Sequence, residues 1–369
     1  MASAMAASSK ARLLFNFIIF VLPIAAWNIP KTVLRAWLQR LPVGLSAKNA
    51  FLHTYRQWAI SVGFRPEIET LSDNATRLMW LGSPKSEKVI LFFHGKLSSH
   101  SQRCAVKSTD SERRAIGGGY VMPLSEGHLN WMVYTSGKCR NAGLDVSVAI
   151  LEYDLIPKHP YPRQMIQGII ALKSLLSRGY SPNDIIIGGD SAGGHLSLSL
   201  LSHLHHPRPE SDLIVELKEP LRGCFLVSPL VSLSNLETRS YNERCSADVL
   251  SKNLIREWGD ALIKNSPWRE EIRNGLGWGM ALDVPEKWWQ GFDIAKRIIV
   301  TGGHEEIFRD HITAFIEVLR RNASVHLTSH MALDEAHDGP LMEFRSHCLP
   351  GSSTKALTEW IIATFSEDS

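Results

Sequence analysis

Between Asp184 and Leu196 the chain reads Asp-Ile-Ile-Ile-Gly-Gly-Asp-Ser-Ala-Gly-Gly-His-Leu. The β-branched run Ile185 to Ile187 has the character of a buried strand, and the alanine- and leucine-rich segment from Ala192 to Leu204 that of a helix. Gly189-Asp190-Ser191-Ala192-Gly193 is left to join them in one sharp turn. Glycines two residues either side of the serine let the chain fold back where bulkier side chains would collide, and the turn holds Ser191 strained with its hydroxyl exposed. The helix that follows aims its free N–H groups and positive dipole end at the same spot, where they can stabilise an oxyanion. Set in a strand–turn–helix, this serine is expected to be a nucleophile and not a member of an ordinary Gly-Ser turn.

The rest of the chain supplies the alternation such a turn needs. Strands are expected at Lys88 to Phe93, Val146 to Tyr153, Cys224 to Val227, Arg297 to Thr301 and Ser324 to Ser329, and helices at Tyr161 to Arg178, His311 to Arg321 and Ser353 to Phe365. Strands alternating with helices imply an α/β fold with a mostly parallel sheet covered on both faces. A length of 369 residues with 44% hydrophobic content suits one large α/β domain with appended elements. The formal charge of +3 comes without any long basic block carrying aromatics, so no nucleic-acid partner is expected and a small neutral substrate is. The five cysteines have neither Cys-x-x-Cys spacing nor a paired His-Cys cluster, which speaks against a zinc site.

Upstream, Lys10 and Arg12 precede an apolar run from Leu13 to Trp27, shorter than the ~20 residues that span a bilayer comfortably and interrupted by Asn16 and Pro23. A basic amphipathic stretch, Asn28 to Leu41, follows. Residues 1–42 are therefore expected to attach the protein to a membrane, in single-pass or monotopic fashion. The competing reading is a hydrophobic helix packed on the domain. Residues 43–87 are assigned to an N-terminal cap and the first strands, and 88–369 to the main domain. Residues 231–290 break the strand–helix rhythm and carry Trp258, Trp268, Trp278, Trp288 and Trp289. They are expected to form a cap offering apolar walls to a ligand, although any single indole more often just fixes such a cap to the core.

These residues resemble the hormone-sensitive-lipase-like branch of the α/β-hydrolases, and within it fungal steryl acetyl hydrolase-like enzymes with an N-terminal membrane segment. The marks are Gly-Asp-Ser-Ala-Gly-Gly-His at 189 to 195, Tyr153-Asp154-Leu155-Ile156-Pro157, Glu306-Ile307-Phe308-Arg309-Asp310 and Ala336-His337-Asp338-Gly339-Pro340. The resemblance implies an α/β-hydrolase fold in which Ser191 is nucleophile, His337 base and Glu306 the acid that orients it, with Gly95, Gly118, Gly119 and Ala192 lining the oxyanion hole. The family more often has aspartate at the acid position. From the residues themselves, a loop after the strand at 324 to 329 would bring His337 over Ser191, and a carboxylate at 305 or 306 follows the preceding strand at the same edge. Glu305 and Asp310 remain competitors for the acid. His195 reads as structural, and His203, His205 and His206 as a solvated helix end.

The implied activity is a serine esterase working through an acyl-enzyme, with no cofactor and no metal. The implied substrate is a short-acyl, acetyl ester of a lipophilic alcohol such as a sterol or a secondary metabolite, and the implied location the endoplasmic reticulum membrane. The alternatives are a non-catalytic binding protein on the same fold, or a biosynthetic hydrolase acting on something other than an ester. An ordinary imidazole base should lose activity as pH falls below about 6.5.

One departure stands out. The family's His-Gly-Gly-Gly oxyanion loop begins at His94-Gly95, but 22 residues, Lys96 to Gly117, intervene before Gly118-Gly119-Tyr120. The insert has no apolar period and a net charge of +3, and deleting it restores His-Gly-Gly-Gly-Tyr with a neutral chain. Gly95-Lys96 can be encoded GGT-AAG and Ile116-Gly117 ATA-GGN, a splice donor and acceptor that excise in frame. Residues 96–117 are therefore expected to be a translated intron, the alternative being a genuine surface loop.

Overall fold

Strands that are apolar on both faces dictate the architecture. The computed structural model describes residues 47–95, 120, 123–208, 213–244 and 248–367. Its strands are β1 (Glu67–Thr70), β2 (Arg77–Leu81), β3 (Lys88–Phe93), β4 (Val146–Glu152), β5 (Ile185–Asp190), β6 (Gly223–Val227), β7 (Arg297–Gly303) and β8 (His326–Ala332). They form one sheet in the order β1-β2-β4-β3-β5-β6-β7-β8. The pairs β1–β2 and β2–β4 are antiparallel and the others parallel. β4, β5 and β6 are buried at every residue, which a strand tolerates only when helices cover both faces of its sheet.

The helices are α1 (Ala47–Ser61), α2 (Glu126–Asn141), α3 (Arg163–Ser177), α4 (Ala192–His205), α5 (Arg239–Glu243), α6 (Lys252–Ile263), α7 (Arg269–Arg273), α8 (Arg309–Asn322), α9 (Gly339–Arg345) and α10 (Ser352–Ser366). α2 and α10 pack together on one face of the sheet, and α3 and α4 on the other. The end of α3 shows how local chemistry sets a boundary. Gly179 takes φ +99°, its N–H bonds the Leu176 carbonyl and the Tyr180 N–H the Leu175 carbonyl. This is the Schellman arrangement, which suits a residue without a Cβ.

The helix α2 escapes the sequence reading. Its buried face includes Gly127, His128, Thr135 and Ser136 beside Leu129, Trp131 and Met132, so polarity does not follow burial there and the apolar period is faint. Residues 67–81 join the main sheet as its antiparallel edge, while α1 packs against α2 and β4. The apolar run at 13–27 and the insert at 96–117 lie outside the described residues. Among the described residues no helix is long and apolar enough to cross a membrane.

Strand order positions the site. From β3 the chain moves to β4 on one side and then to β5 on the other, so the carboxyl ends of β3 and β5 flank a topological switch point, where open α/β sheets bind ligands.

Candidate active site

The turn from β5 into α4 is as tight as its glycines allow. A Cβ at Gly189 or Gly193 would overlap the Phe93 carbonyl oxygen of neighbouring β3. Ser191, between them, has φ +49° and ψ −111°, a region that L-residues enter only when the surroundings over-determine it. Its N–H is held by the Val227 carbonyl of β6 at 2.8 Å, and its own carbonyl accepts from the N–H groups of His195 and Leu230 at 3.0 and 3.1 Å.

Two loops at the same sheet edge reach this serine. His337 follows β8 and places Nε2 2.9 Å from Ser191 Oγ. Glu306 follows β7 and places Oε2 2.8 Å from His337 Nδ1. All three residues are almost wholly buried. The other Glu306 oxygen accepts from the Gly303 N–H at 2.6 Å and the Ser228 hydroxyl at 3.1 Å. The same Ser228 hydroxyl accepts the Asp338 N–H at 3.1 Å, tying the loop that carries the histidine to the acid that orients it.

The competing acids are engaged elsewhere. Glu305 pairs with Arg244 at 2.8 Å. Asp310 accepts the Ser240 N–H at 2.7 Å in the first turn of α8, and although burial would raise its pKa, that bond and Arg309 hold it below the ordinary value.

More buried carboxylates gather at this site than the sequence announced. Asp190 meets His128 at 3.2 Å; burial alone would raise its pKa, but His128 and the Gly95 N–H hold it low. Asp248, whose oxygens accept the N–H groups of Ile307 at 2.6 Å and Leu250 at 3.1 Å, is pushed up to about 6 by burial. Asp338, fully buried, has an oxygen 3.4 Å from His337 Nε2. Burial by itself would lower the His337 pKa, yet the charges of Asp338 and Glu306 and the Glu306 hydrogen bond push it up to about 9. Asp190 and Asp338 lie inside motifs already visible in the sequence. Ser228 and Asp248 carry no local signal, because neighbouring strands and the 231–290 segment bring them in.

The expected oxyanion residues divide. Ala192 opens α4, where first-turn N–H groups lack intrahelical acceptors, and is buried beside Ser191. Gly95 follows β3 beside the elbow, with its N–H toward the Asp190 carboxylate. Its lack of a side chain is what the site uses, since a Cβ there would lie 2.8 Å from Ser191 Cβ. Gly118 and Gly119 lie outside the described residues.

The expected cap, 231–290, covers α4. The His195 ring bonds the Gly279 carbonyl on one side and the Tyr120 hydroxyl at 2.5 Å on the other, and burial depresses its pKa to about 4, so it stays neutral. The Trp278 and Trp288 N–H groups bond His206 O and Ser202 Oγ, both at 2.9 Å, at the far end of α4 from Ser191. Those indoles fasten the cap. Consequently the histidines at that end are not solvated as expected: His203 is buried and His206 packs against Trp288 at 4.2 Å.

Comparison with known proteins agrees with this geometry. Residues 116–340 match a family model described as alpha/beta hydrolase fold. Carboxylesterase/phospholipase LipF of Mycobacterium tuberculosis is 34% identical over 103 residues, 27% of this chain and 26% of that protein. Arylacetamide deacetylase of Bos taurus is 33% identical over 124 residues, 32% of this chain and 29% of that protein. The chain thus spans less than a third of either relative's length. The crystal structure of the hormone-sensitive-lipase homologue EstE7 from a metagenome library superposes with a TM-score of 0.61 at 20% identity, covering 90% of this chain and 98% of that one, which bears on the fold alone. Sheet order, elbow and family match agree, and the chain belongs to the alpha/beta hydrolase fold family.

Proposed function

We propose that the protein is a serine carboxylic ester hydrolase in which Ser191 attacks, His337 takes and returns the proton, and Glu306 orients the imidazole. The observation that carries this reading is the unbroken hydrogen-bonded line Glu306–His337–Ser191 ending at a serine of positive φ. In the reaction Ser191 Oγ adds to the ester carbonyl as its proton passes to His337 Nε2, and α4's first-turn N–H groups, Ala192's among them, receive the oxyanion. The proton then goes to the departing alkoxide, and water, deprotonated by the same nitrogen, releases the acid.

The substrate class follows from resemblance: a short-acyl, acetyl ester of a lipophilic alcohol such as a sterol or a secondary metabolite. One matched relative carries the name deacetylase, which points the same way. The apolar run at 13–27 supports attachment to a membrane, with the endoplasmic reticulum as the proposed location. Residues 96–117 are proposed to be absent from the mature enzyme. In support, both flanks serve one neighbourhood: the His94 ring stacks on Tyr153 at 4.6 Å and the Tyr120 ring meets it at 5.6 Å. A fluorophosphonate probe tests the central claim. Wild type should be labelled and should hydrolyse p-nitrophenyl acetate, and Ser191→Ala should do neither; labelling that survives in the alanine variant, or is absent from wild type with and without residues 96–117, would refute it.

A further inference from the structure

His337 carries a carboxylate at each nitrogen: Glu306 at 2.8 Å from Nδ1, and Asp338 at 3.4 Å from Nε2, the nitrogen that also faces Ser191. Asp338 is costly where it stands. It is fully buried, and neither of its oxygens has a hydrogen-bond donor among the described residues. Its backbone sits at φ +57°, and although it precedes α9 its side chain caps nothing. A buried carboxylate without hydrogen-bond donors is strongly disfavoured, and the left-handed backbone here is open to the uncharged residues glycine and asparagine as well as to aspartate. A structural role would be met at lower cost by either of those residues. The one contact its carboxylate retains is the imidazole.

We propose that Asp338 is a positioning residue that competes with Ser191 for His337 Nε2, holding the imidazole as a cation between two carboxylates and thereby setting the pH at which the base becomes available. This deepens the esterase reading above and rests on it for its consequence in hydrolysis. In the protonated form Nδ1–H is held by Glu306, while Nε2–H lies between Ser191 Oγ at 2.9 Å and the Asp338 carboxylate at 3.4 Å. Loss of the Nε2 proton to solvent frees that lone pair, and Ser191 Oγ–H can then donate to it.

The groups facing the imidazole favour the cation. Besides Glu306 and Asp338, Asp248 approaches from the 231–290 segment, while Asp190 at the end of β5 acts on Asp338. The remaining neighbours are neutral: Ser191 Oγ, and the Phe308 ring edge-on at 4.9 Å. Burial works against the cation but is outweighed, and the His337 pKa rises to about 9. Asp338's own carboxyl is raised well above the usual range by burial first and then by Glu306, Asp190 and Asp248. The two groups act on one another, so the charge on Asp338 bears directly on how firmly His337 keeps its proton. The sign follows: removing Asp338's negative charge lowers the His337 pKa, so the base becomes available at lower pH.

Asp338→Asn keeps the shape and Asp338→Gly suits the left-handed backbone, so both should fold. Two readouts on the full chain decide the proposal. The first is the ¹⁵N NMR titration of His337, assigned by the signal missing in His337→Gln. The second is the pH dependence of kcat/KM for p-nitrophenyl acetate. In both variants the His337 midpoint should fall by one unit or more, and the acid limb of hydrolysis should move with it, giving about tenfold faster turnover per unit at neutral pH. Midpoints that agree within a few tenths of a unit across all three proteins overturn the proposal, whatever the hydrolysis shows. A shifted midpoint in a protein that hydrolyses no ester either with or without residues 96–117 upholds the Asp338–His337 coupling and refutes the esterase reading instead.

Discussion

Strain and function meet at one residue, Ser191. Its φ of +49° costs on the order of 1–3 kcal/mol for a residue with a side chain. Ser191→Ala keeps that strain and loses the nucleophile, so turnover should drop by about 10⁶ with an unchanged thermal midpoint. Ser191→Gly should be equally inactive yet more stable by about 1 kcal/mol, because glycine accepts this backbone without a clash; differential scanning calorimetry of the two variants checks the ranking. The acid gives a second discriminating pair. Glu306 reaches the imidazole whereas Glu305 faces Arg244. Glu306→Gln should therefore cost about 10³–10⁴ in kcat, and Glu305→Gln should stay within a few-fold, roughly the effect of a half-exposed ion pair. The opposite ranking in a steady-state assay would move the acid by one position.

At the scale of elements, the site is a by-product of how closely β3, β5 and α4 approach. Gly189 and Gly193 exist to let the Phe93 carbonyl pass. Gly193→Ala should separate β3 from α4 and destabilise the protein by about 3 kcal/mol, at the upper end for overpacking, since the obstacle is backbone and cannot rotate away. A chemical-denaturation midpoint equal to wild type would contradict the close approach. The cap behaves as a separate fastening problem. Trp289 is fully buried, stacks edge-on against Phe292 and Phe315, and donates to the Ala281 carbonyl at 2.8 Å. Trp289→Ala should cost about 3–5 kcal/mol while leaving the Glu306–His337–Ser191 line intact. Its kcat in the folded fraction, measured at low temperature, should stay close to wild type.

For the whole molecule, two segments outside the described residues carry opposite expectations. Removing residues 1–42 should leave hydrolysis of a soluble ester unchanged and move the protein from the pelleted membrane fraction to the supernatant. Removing 96–117 should raise kcat by about 10²–10³, the worth of a restored oxyanion donor; equal activity with and without the insert would make it a genuine loop. Sequence by itself determined the layered α/β fold, because strands buried on both faces are written as unbroken apolar runs such as Val148 to Leu151 and the elbow's glycines are demanded by local backbone geometry. It also placed Ser191, His337 and Glu306 on loops that follow strands, since the carboxyl edge of a parallel sheet is fixed once the alternation is read. It could not choose Glu306 over Glu305 and Asp310 from spacing alone, because adjacent residues of a loop point in different directions that only the fold resolves. It missed α2, whose buried face is partly polar, and took His206 for a solvated residue because the indoles that cover it lie more than seventy residues away. The second carboxylate beside the His337 imidazole was decided by tertiary structure alone: Asp338 comes within 3.4 Å of Nε2 with its own backbone turned left-handed, and nothing in the order of residues states that turn.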